Sequence, residues 1–465
     1  MVFSSLLFMF IYLPIVLAVY YIVPTKWRNI WLFIVNLVFY GWGEPVYVLL
    51  MVFSICINYY FGMMVDRHRE NDKRAKGYLA ANTVINLALL FFFKYFDFIA
   101  GTLSRIPFLS FIGPLGVTLP IGISFYTFQT MSYPIDVYRG DAAVQKNFIS
   151  FGTFVALFPQ LIAGPIVRYK DISDQLSFRS NSVEQFASGV RRFSVGLAKK
   201  VLLANNIGLL WDACAATPVP ELSVAGAWLG IIAFSFQIYF DFSGYSDMAI
   251  GLGRMIGFEF LENFNYPYIS RSVTEFWRRW HISLSTWFRD YVYIPLGGNR
   301  KGKARQLLNI LIVWGLTGIW HGASWNFLLW GLYYALFLTA EKLFLLKGLE
   351  RSSALSRIYT LFVVAFGWAL FSVNDTASGF AYIGAMFGKG TAGFIGQQTL
   401  YWLRNYAISL IILTVSCTPL GARIIKKLPE KVTAVLVPVL IFLSLFISTA
   451  YLVDSTYNPF LYFRF

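Results

Sequence analysis

Charge is sparse in this chain: 13% of its 465 residues are Asp, Glu, Lys or Arg, where a soluble domain carries about 25%. With 57% hydrophobic residues, that excludes a water-soluble globule and predicts an all-α polytopic membrane protein. Cysteine is also sparse. Cys56, Cys214 and Cys417 lie far apart and form no Cys-x-x-Cys pair, which argues against a zinc ribbon or a disulfide framework. Three histidines are too few and too scattered for a metal cluster, so no metal is expected. A Gly-x-Ser-x-Gly elbow is absent, which leaves a serine hydrolase nothing to rest on. The basic turn Gly297-Gly298-Asn299-Arg300-Lys301-Gly302-Lys303 lacks the spacing of a phosphate loop. No repeat of 20–50 residues is visible, and residues 1–465 read as a single integral-membrane domain. The segment Met1–Tyr21 lacks a basic start and a small-x-small cleavage site, so it is expected to be a first transmembrane helix.

The net charge of +15 comes from short basic clusters between apolar runs. That pattern fits loops held against anionic lipid by the positive-inside rule, and argues against nucleic acid. Crossings are expected near Phe3–Val23, Ile30–Tyr40, Val46–Val65 and Tyr78–Ala100. Further crossings are expected at Val183–Trp211, Val224–Met255, Leu307–Trp320, Asn326–Leu346, Ile358–Val373, Leu400–Cys417 and Val432–Val453. Ile112–Tyr133 and Phe148–Val167 carry Gly and Pro breaks and read either as re-entrant or broken helices lining a cavity or as loops. The total is about eleven crossings. Placing the basic loops Lys26–Arg28 and Arg67–Lys76 in the cytoplasm puts the N-terminus outside. Lys342–Arg357 and Arg423–Lys431 then also fall inside, and the tail Asp454–Phe465 outside.

Three places in this apolar chain could carry chemistry. In Val273–Tyr291, Val273, Phe276, Trp277, Trp280, Leu284, Trp287, Phe288 and Tyr291 recur at helical spacing opposite a charged side. This predicts one continuous amphipathic helix in the membrane plane, with His281 on its apolar face. His281 then either assists catalysis, lines the cytoplasmic mouth of a tunnel, or is packed among tryptophans. His321 ends the apolar run Ile310–Trp320, about 20 Å of helix beyond Leu307. An ionisable group at that depth is a site candidate: a general base taking a proton from an acceptor hydroxyl, or a structural bond between helices. Asp241-Phe242-Ser243-Gly244-Tyr245-Ser246-Asp247 interrupts an apolar helix, with Asp241 and Tyr245 on one face and Ser243 and Asp247 on another. These side chains, with Trp280 and Trp320, are either tunnel-lining groups or parts of ion pairs that pin helices. Arg254 and the arginines of 271–305 are the expected partners of the carboxylates.

Five motifs, in order, carry a resemblance over nearly the whole chain. They are Leu119-Pro120-Ile121-Gly122-Ile123-Ser124-Phe125-Tyr126, Leu161-Ile162-Ala163-Gly164-Pro165, the Asp241–Asp247 stretch, Glu275-Phe276-Trp277-Arg278-Arg279-Trp280-His281, and Trp320-His321-Gly322. With them the chain resembles the bacterial membrane-bound O-acyltransferase (MBOAT) family, in its alginate-type branch. The resemblance implies re-entrant and transmembrane helices around a central tunnel. It places the family's invariant histidine at His321 and its second polar position at His281. It also implies an acyl thioester donor, acetyl-CoA by default, with no bound cofactor, and a location in the cytoplasmic membrane. An extracytoplasmic partner of the SGNH-hydrolase-like class would complete acetylation of a polysaccharide such as alginate. Whether His321 acts only as base or carries an acyl group is left open.

Two rival readings are D-alanyl transfer to teichoic acid from a carrier-protein thioester, and a polysaccharide or small-molecule transporter. A transporter moves its substrate unmodified, so transfer of labelled acetyl by purified protein separates it from an enzyme. The topology has its own test. A cysteine at position 301 should escape a membrane-impermeant thiol reagent in intact cells, and one at position 464 should react. Labelling at 301 would reverse the orientation.

Overall fold

The computed structural model describes residues 1–373, 375–454 and 460–461, and every regular element among them is a helix. Among the described residues, seven helices are long and apolar enough to cross a membrane: Tyr47–Arg67, Asp72–Leu103, Val183–Ala216, Val224–Met255, Trp325–Leu349, Ser353–Phe371 and Glu430–Asp454. An eighth span forms if Gln397–Ser416 and Leu420–Lys427, bent by 69°, count as one. Thr418 and Pro419 make that bend, because proline cannot continue the helical hydrogen-bond ladder. The chain is therefore a multi-pass membrane protein. The difference from about eleven crossings lies in the weaker segments. Phe8–Ile22 is shorter than a span, Arg28–Gly43 has 16 residues, and Lys303–His321 carries Arg305, Gln306, Asn309 and His321 among its apolar residues. In the expected tail Asp454–Phe465, residues 455–459 and 462–465 lie outside the described ones.

The described chain forms two compact units. The first comprises Met1–Ser194 and Tyr245–Leu261. Its helices Tyr47–Arg67 and Asp72–Leu103 are joined by buried amides. Asn58 and Asn86 exchange hydrogen bonds at 3.1 and 3.0 Å, and Asn82 donates to Asn58 at 2.9 Å. Such bonds hold helices together where no hydrophobic force distinguishes protein from lipid. Both expected broken segments are broken. The first is helical only from Ile123 to Arg139, after Gly122 at φ 77°, where a Cβ would press on the Leu161 carbonyl. The second splits into Phe148–Ala156 and Phe158–Leu161. There Asn36 Oδ1 accepts the freed Phe158 N–H at 3.1 Å, and Gln160 donates to the Phe154 carbonyl at 2.6 Å. Side chains thus do what water cannot do in an apolar interior.

The second unit comprises Val195–Gly244 and Glu262–Phe465. Its tightest packing is the hairpin of Lys303–His321 and Trp325–Ala340. Gly318 and Gly331 meet there. A Cβ on Gly331 would strike the Trp314 carbonyl and lie 3.1 Å from the Gly318 Cα, so the backbones approach as closely as only glycine permits.

One expectation is corrected in this unit. Val273–Tyr291 is not one continuous amphipathic helix but two short ones, Val273–Arg279 and Ile282–Phe288, extended by a wide turn over Arg289–Tyr293. His281 sits at the break with φ 46°, a left-handed conformation that L-residues rarely adopt. The aromatic spacing survives, because each half still buries Trp and Phe. The break lies where helical periodicity carries no signal.

Gly331→Val should therefore cost about 1–3 kcal/mol by overpacking. It should lower the unfolding temperature of detergent-solubilised protein. An unchanged midpoint would show that the hairpin tolerates a wider spacing.

Candidate active site

The break at His281 creates a problem of unpaired backbone. Helix Ile282–Phe288 has no capping side chain of its own. Its first amides turn instead to Asn263. The Asn263 carbonyl accepts Ile282 N–H at 3.0 Å, and its side-chain Oδ1 accepts Ser283 N–H at 3.2 Å and the Ser283 hydroxyl at 2.9 Å. His281 Nδ1 lies 3.1 Å from the same Oδ1. The preceding helix is capped from elsewhere too. Buried Glu341 accepts Val273 N–H at 2.6 Å, Thr274 N–H at 2.8 Å and the Thr274 hydroxyl at 2.6 Å. A carboxylate at a helix N-terminus also meets the positive end of the helix dipole.

His281 is 2% exposed and His321 7%. Phe242 meets the His281 ring edge-on at 4.7 Å. His321 is walled by Trp320, Trp330 and Phe371 at 5.0, 5.0 and 5.3 Å. The Trp320 indole lies between the histidines, 6.2 Å from His281 and 5.0 Å from His321. Both histidines line one cavity of about 610 Å³. This corrects the expected separation of an interfacial His281 from a deep His321. The kink turns His281 inward to a site that a straight in-plane helix would not reach. Burial pushes the His281 imidazole down to about 3, so the ring is neutral.

Arg278 and Lys342 also line this cavity, with Arg289, which is paired with Asp290, and among the described residues no carboxylate lines it. Its charge is suited to an anionic ligand. His321 and Trp277 are shared with a second, small cavity of about 20 Å³, also walled by Asp241, Trp280, Trp330 and Trp368. Leu461 lines both this small cavity and a third, of about 450 Å³, which includes Asp212, Thr217, Ser372 and Ser378. His321 thus borders both a roomy cationic cavity and one with room for about one water.

The remaining expected residues separate. Asp241 does line the small cavity, but it is also ion-paired with Lys200 at 2.6 Å and accepts Leu461 N–H at 2.6 Å, with both charged groups buried. Trp280 lines that cavity, stacked on Phe276 at 5.6 Å. Ser243 and Trp320 are buried but line none of these three cavities. Tyr245 and Asp247 belong to the first unit. There Tyr245 stacks on Phe3 at 4.6 Å, and Asp247 pairs with Arg192 at 2.7 Å.

Neither Arg254 nor the 271–305 arginines are the partners that the structure gives Asp241 and Asp247. Arg254 is seven residues from Asp247, about 10 Å along the helix, and pairs with Glu259 instead. Arg279 and Arg289 are taken by Glu275 and Asp290. Sequence reasoning also missed Asn263, Glu341, Lys200, Trp330 and Trp368. Only Glu341 carried a signal, as a lone carboxylate inside an apolar run.

The MBOAT, membrane-bound O-acyltransferase, family model matches residues 49–374, a range that includes both histidines. The chain is 44% identical over 395 residues to the probable alginate O-acetylase AlgI of Pseudomonas aeruginosa, covering 84% of this chain and 76% of that one. It is 39% identical to the probable alginate O-acetylase AlgI of Pseudomonas putida over an alignment of 487 positions that covers 100% of both. It is 34% identical over 374 residues to the peptidoglycan O-acetyltransferase of Helicobacter pylori, covering 74% and 70%. Two buried histidines on one cavity of a multi-pass helical protein, inside a family match of this extent, place the chain in the membrane-bound O-acyltransferase family and make it an O-acyltransferase.

Proposed function

We propose that this enzyme transfers an acetyl group from a thioester toward O-acetylation of an extracytoplasmic polysaccharide of the alginate type. The observation that carries the reading is His321 at the junction of the cationic cavity and the narrow one. Alginate O-acetylase relatives at 39–44% identity favour acetyl as the group and alginate as the acceptor class. Acetyl-CoA suits the donor role. Its phosphates match Arg278 and Lys342, and its pantetheine arm matches the apolar walls toward His321. The enzyme sits in the cytoplasmic membrane with both termini outside, and an SGNH-like extracytoplasmic partner completes delivery to the polymer.

In the transfer step the acceptor hydroxyl oxygen attacks the thioester carbonyl carbon. His321 takes the hydroxyl proton as the new C–O bond forms. The C–S bond breaks with its electron pair on sulfur, and His321 returns the proton to that sulfur, so the thiol leaves and the imidazole is neutral again. Neutral His281 accepts a hydrogen bond and orients a reacting group in the same cavity. The walls of Trp277, Trp280, Trp330 and Trp368 exclude water, which would otherwise hydrolyse the thioester.

His321→Ala and His321→Gln should each lower acetyl transfer by about 10²–10⁴-fold at unchanged membrane abundance, because an amide does not take the proton at neutral pH. His281→Gln, which keeps an acceptor, should retain partial activity. Near-wild-type transfer by folded His321→Gln protein would remove the base assignment. Equal and complete loss in both Gln variants would make the histidines a joint catalytic pair. Mass spectrometry of the product distinguishes an acetyl ester from a D-alanyl ester, and the latter would overturn the donor assignment.

A further inference from the structure

We propose that Asn263 is a positioning residue that fixes His281 in its Nδ1–H tautomer and so keeps Nε2 as the acceptor of the ring. The proposal rests on the reading above that His281 serves the transfer.

The argument begins with a donor whose identity is certain. Ser283 backbone N–H can only donate, and it is 3.2 Å from the Asn263 side-chain atom assigned as Oδ1. That atom must be the oxygen, since the amide nitrogen has no acceptor capacity. The Ser283 hydroxyl donates to it as well, at 2.9 Å. His281 Nδ1 sits 3.1 Å from this same oxygen. An unprotonated Nδ1 would set one lone pair against another, so Nδ1 carries the hydrogen and donates it. In a neutral imidazole the second nitrogen is then the acceptor. Among the described residues His281 Nε2 has no hydrogen-bond partner, although it is buried.

The two edges of the ring also face different surroundings. Asn263 is buried and does not line the 610 Å³ cavity, whereas His281 does. The Nδ1 edge is held by Asn263, and the buried Nε2 is left as the open acceptor of the ring. The clamp is rigid because Asn263 is held through its backbone too, by Ile282 N–H at 3.0 Å. A ring at a left-handed break would otherwise be free to turn over. An orienter that sets the tautomer by accepting from the far ring nitrogen is the arrangement a histidine needs when its other nitrogen faces a reactant.

The test uses full-length protein in lipid nanodiscs labelled with ¹⁵N-histidine. The chain has three histidines, His68, His281 and His321, so His68→Gln and His281→Gln assign the spectrum. Wild-type His281 should show a protonated Nδ1 and an unprotonated Nε2. Asn263→Ala should lose that pattern, and Asn263→Asp, which keeps two acceptor oxygens, should retain it. In transfer assays Asn263→Ala should lower kcat by about 10- to 100-fold with KM for acetyl-CoA little changed, and Asn263→Asp should recover most of the loss. An Nε2–H signal from wild-type His281 overturns the proposal without any variant, so misfolding of Asn263→Ala cannot shelter it. So does a tautomer that survives Asn263→Ala, or one that changes while transfer does not. If wild-type protein transfers no acetyl at all, the functional reading fails, while the spectrum still decides the tautomer.

Discussion

A helix end buried away from water needs acceptors for its free amides, and the second unit is arranged around meeting that need. The two short helices Val273–Arg279 and Ile282–Phe288 begin inside protein. Left unpaired, their first N–H groups would each cost several kcal/mol in an apolar medium. Glu341 supplies acceptors to the first helix and Asn263 to the second. Both come from distant sequence. The caps therefore do two jobs: they make a buried break affordable, and they tie the break to a membrane span and to the 263–265 loop. Removing either would leave its donors stranded, and removing Asn263 would also leave the orientation of His281 undetermined.

Buried charge follows the same logic. Lys200 and Asp241 form an ion pair whose desolvation is offset by close contact and by the Leu461 amide. Such a pair adds little net stability compared with a well-packed apolar core. Its effect is specificity: Asp241 holds the chain near Leu461 beside the small cavity, so the wall opposite the tryptophans is set by hydrogen bonding as well as by packing. In the first unit Asp247 and Arg192 form a comparable bridge. The carboxylates of the Asp241–Asp247 stretch thus act mainly as internal anchors.

The parts legible in sequence are those governed by local rules. Apolar length gave the spans, Gly and Pro gave the break near Gly122 but pointed to Gly164 rather than to the break at Leu157, and the rarity of His marked His321 as a candidate. The kink at His281 was not legible. Trp277, Trp280, Leu284 and Trp287 keep helical spacing across it, because each half-helix separately buries the same aromatic face. What breaks the helix is an acceptor about twenty residues away, and a period of 3.6 carries no information about that. The same holds for Lys200 and Asp241, whose pairing depends on how two helices pack. An i,i+7 reading looked along one helix for a partner that stands on another.

The small cavity beside His321 has a consequence at the level of the cell. Its volume of about 20 Å³ holds roughly one water molecule. A file of waters through a bilayer would conduct protons and dissipate the gradient that powers the membrane. A single water, ringed by four indoles and three phenyl groups beside Asp241 and His321, does not make such a file. A cavity that small therefore also insulates: an enzyme with about 610 Å³ of open space on its histidine can sit in an energised membrane without short-circuiting it.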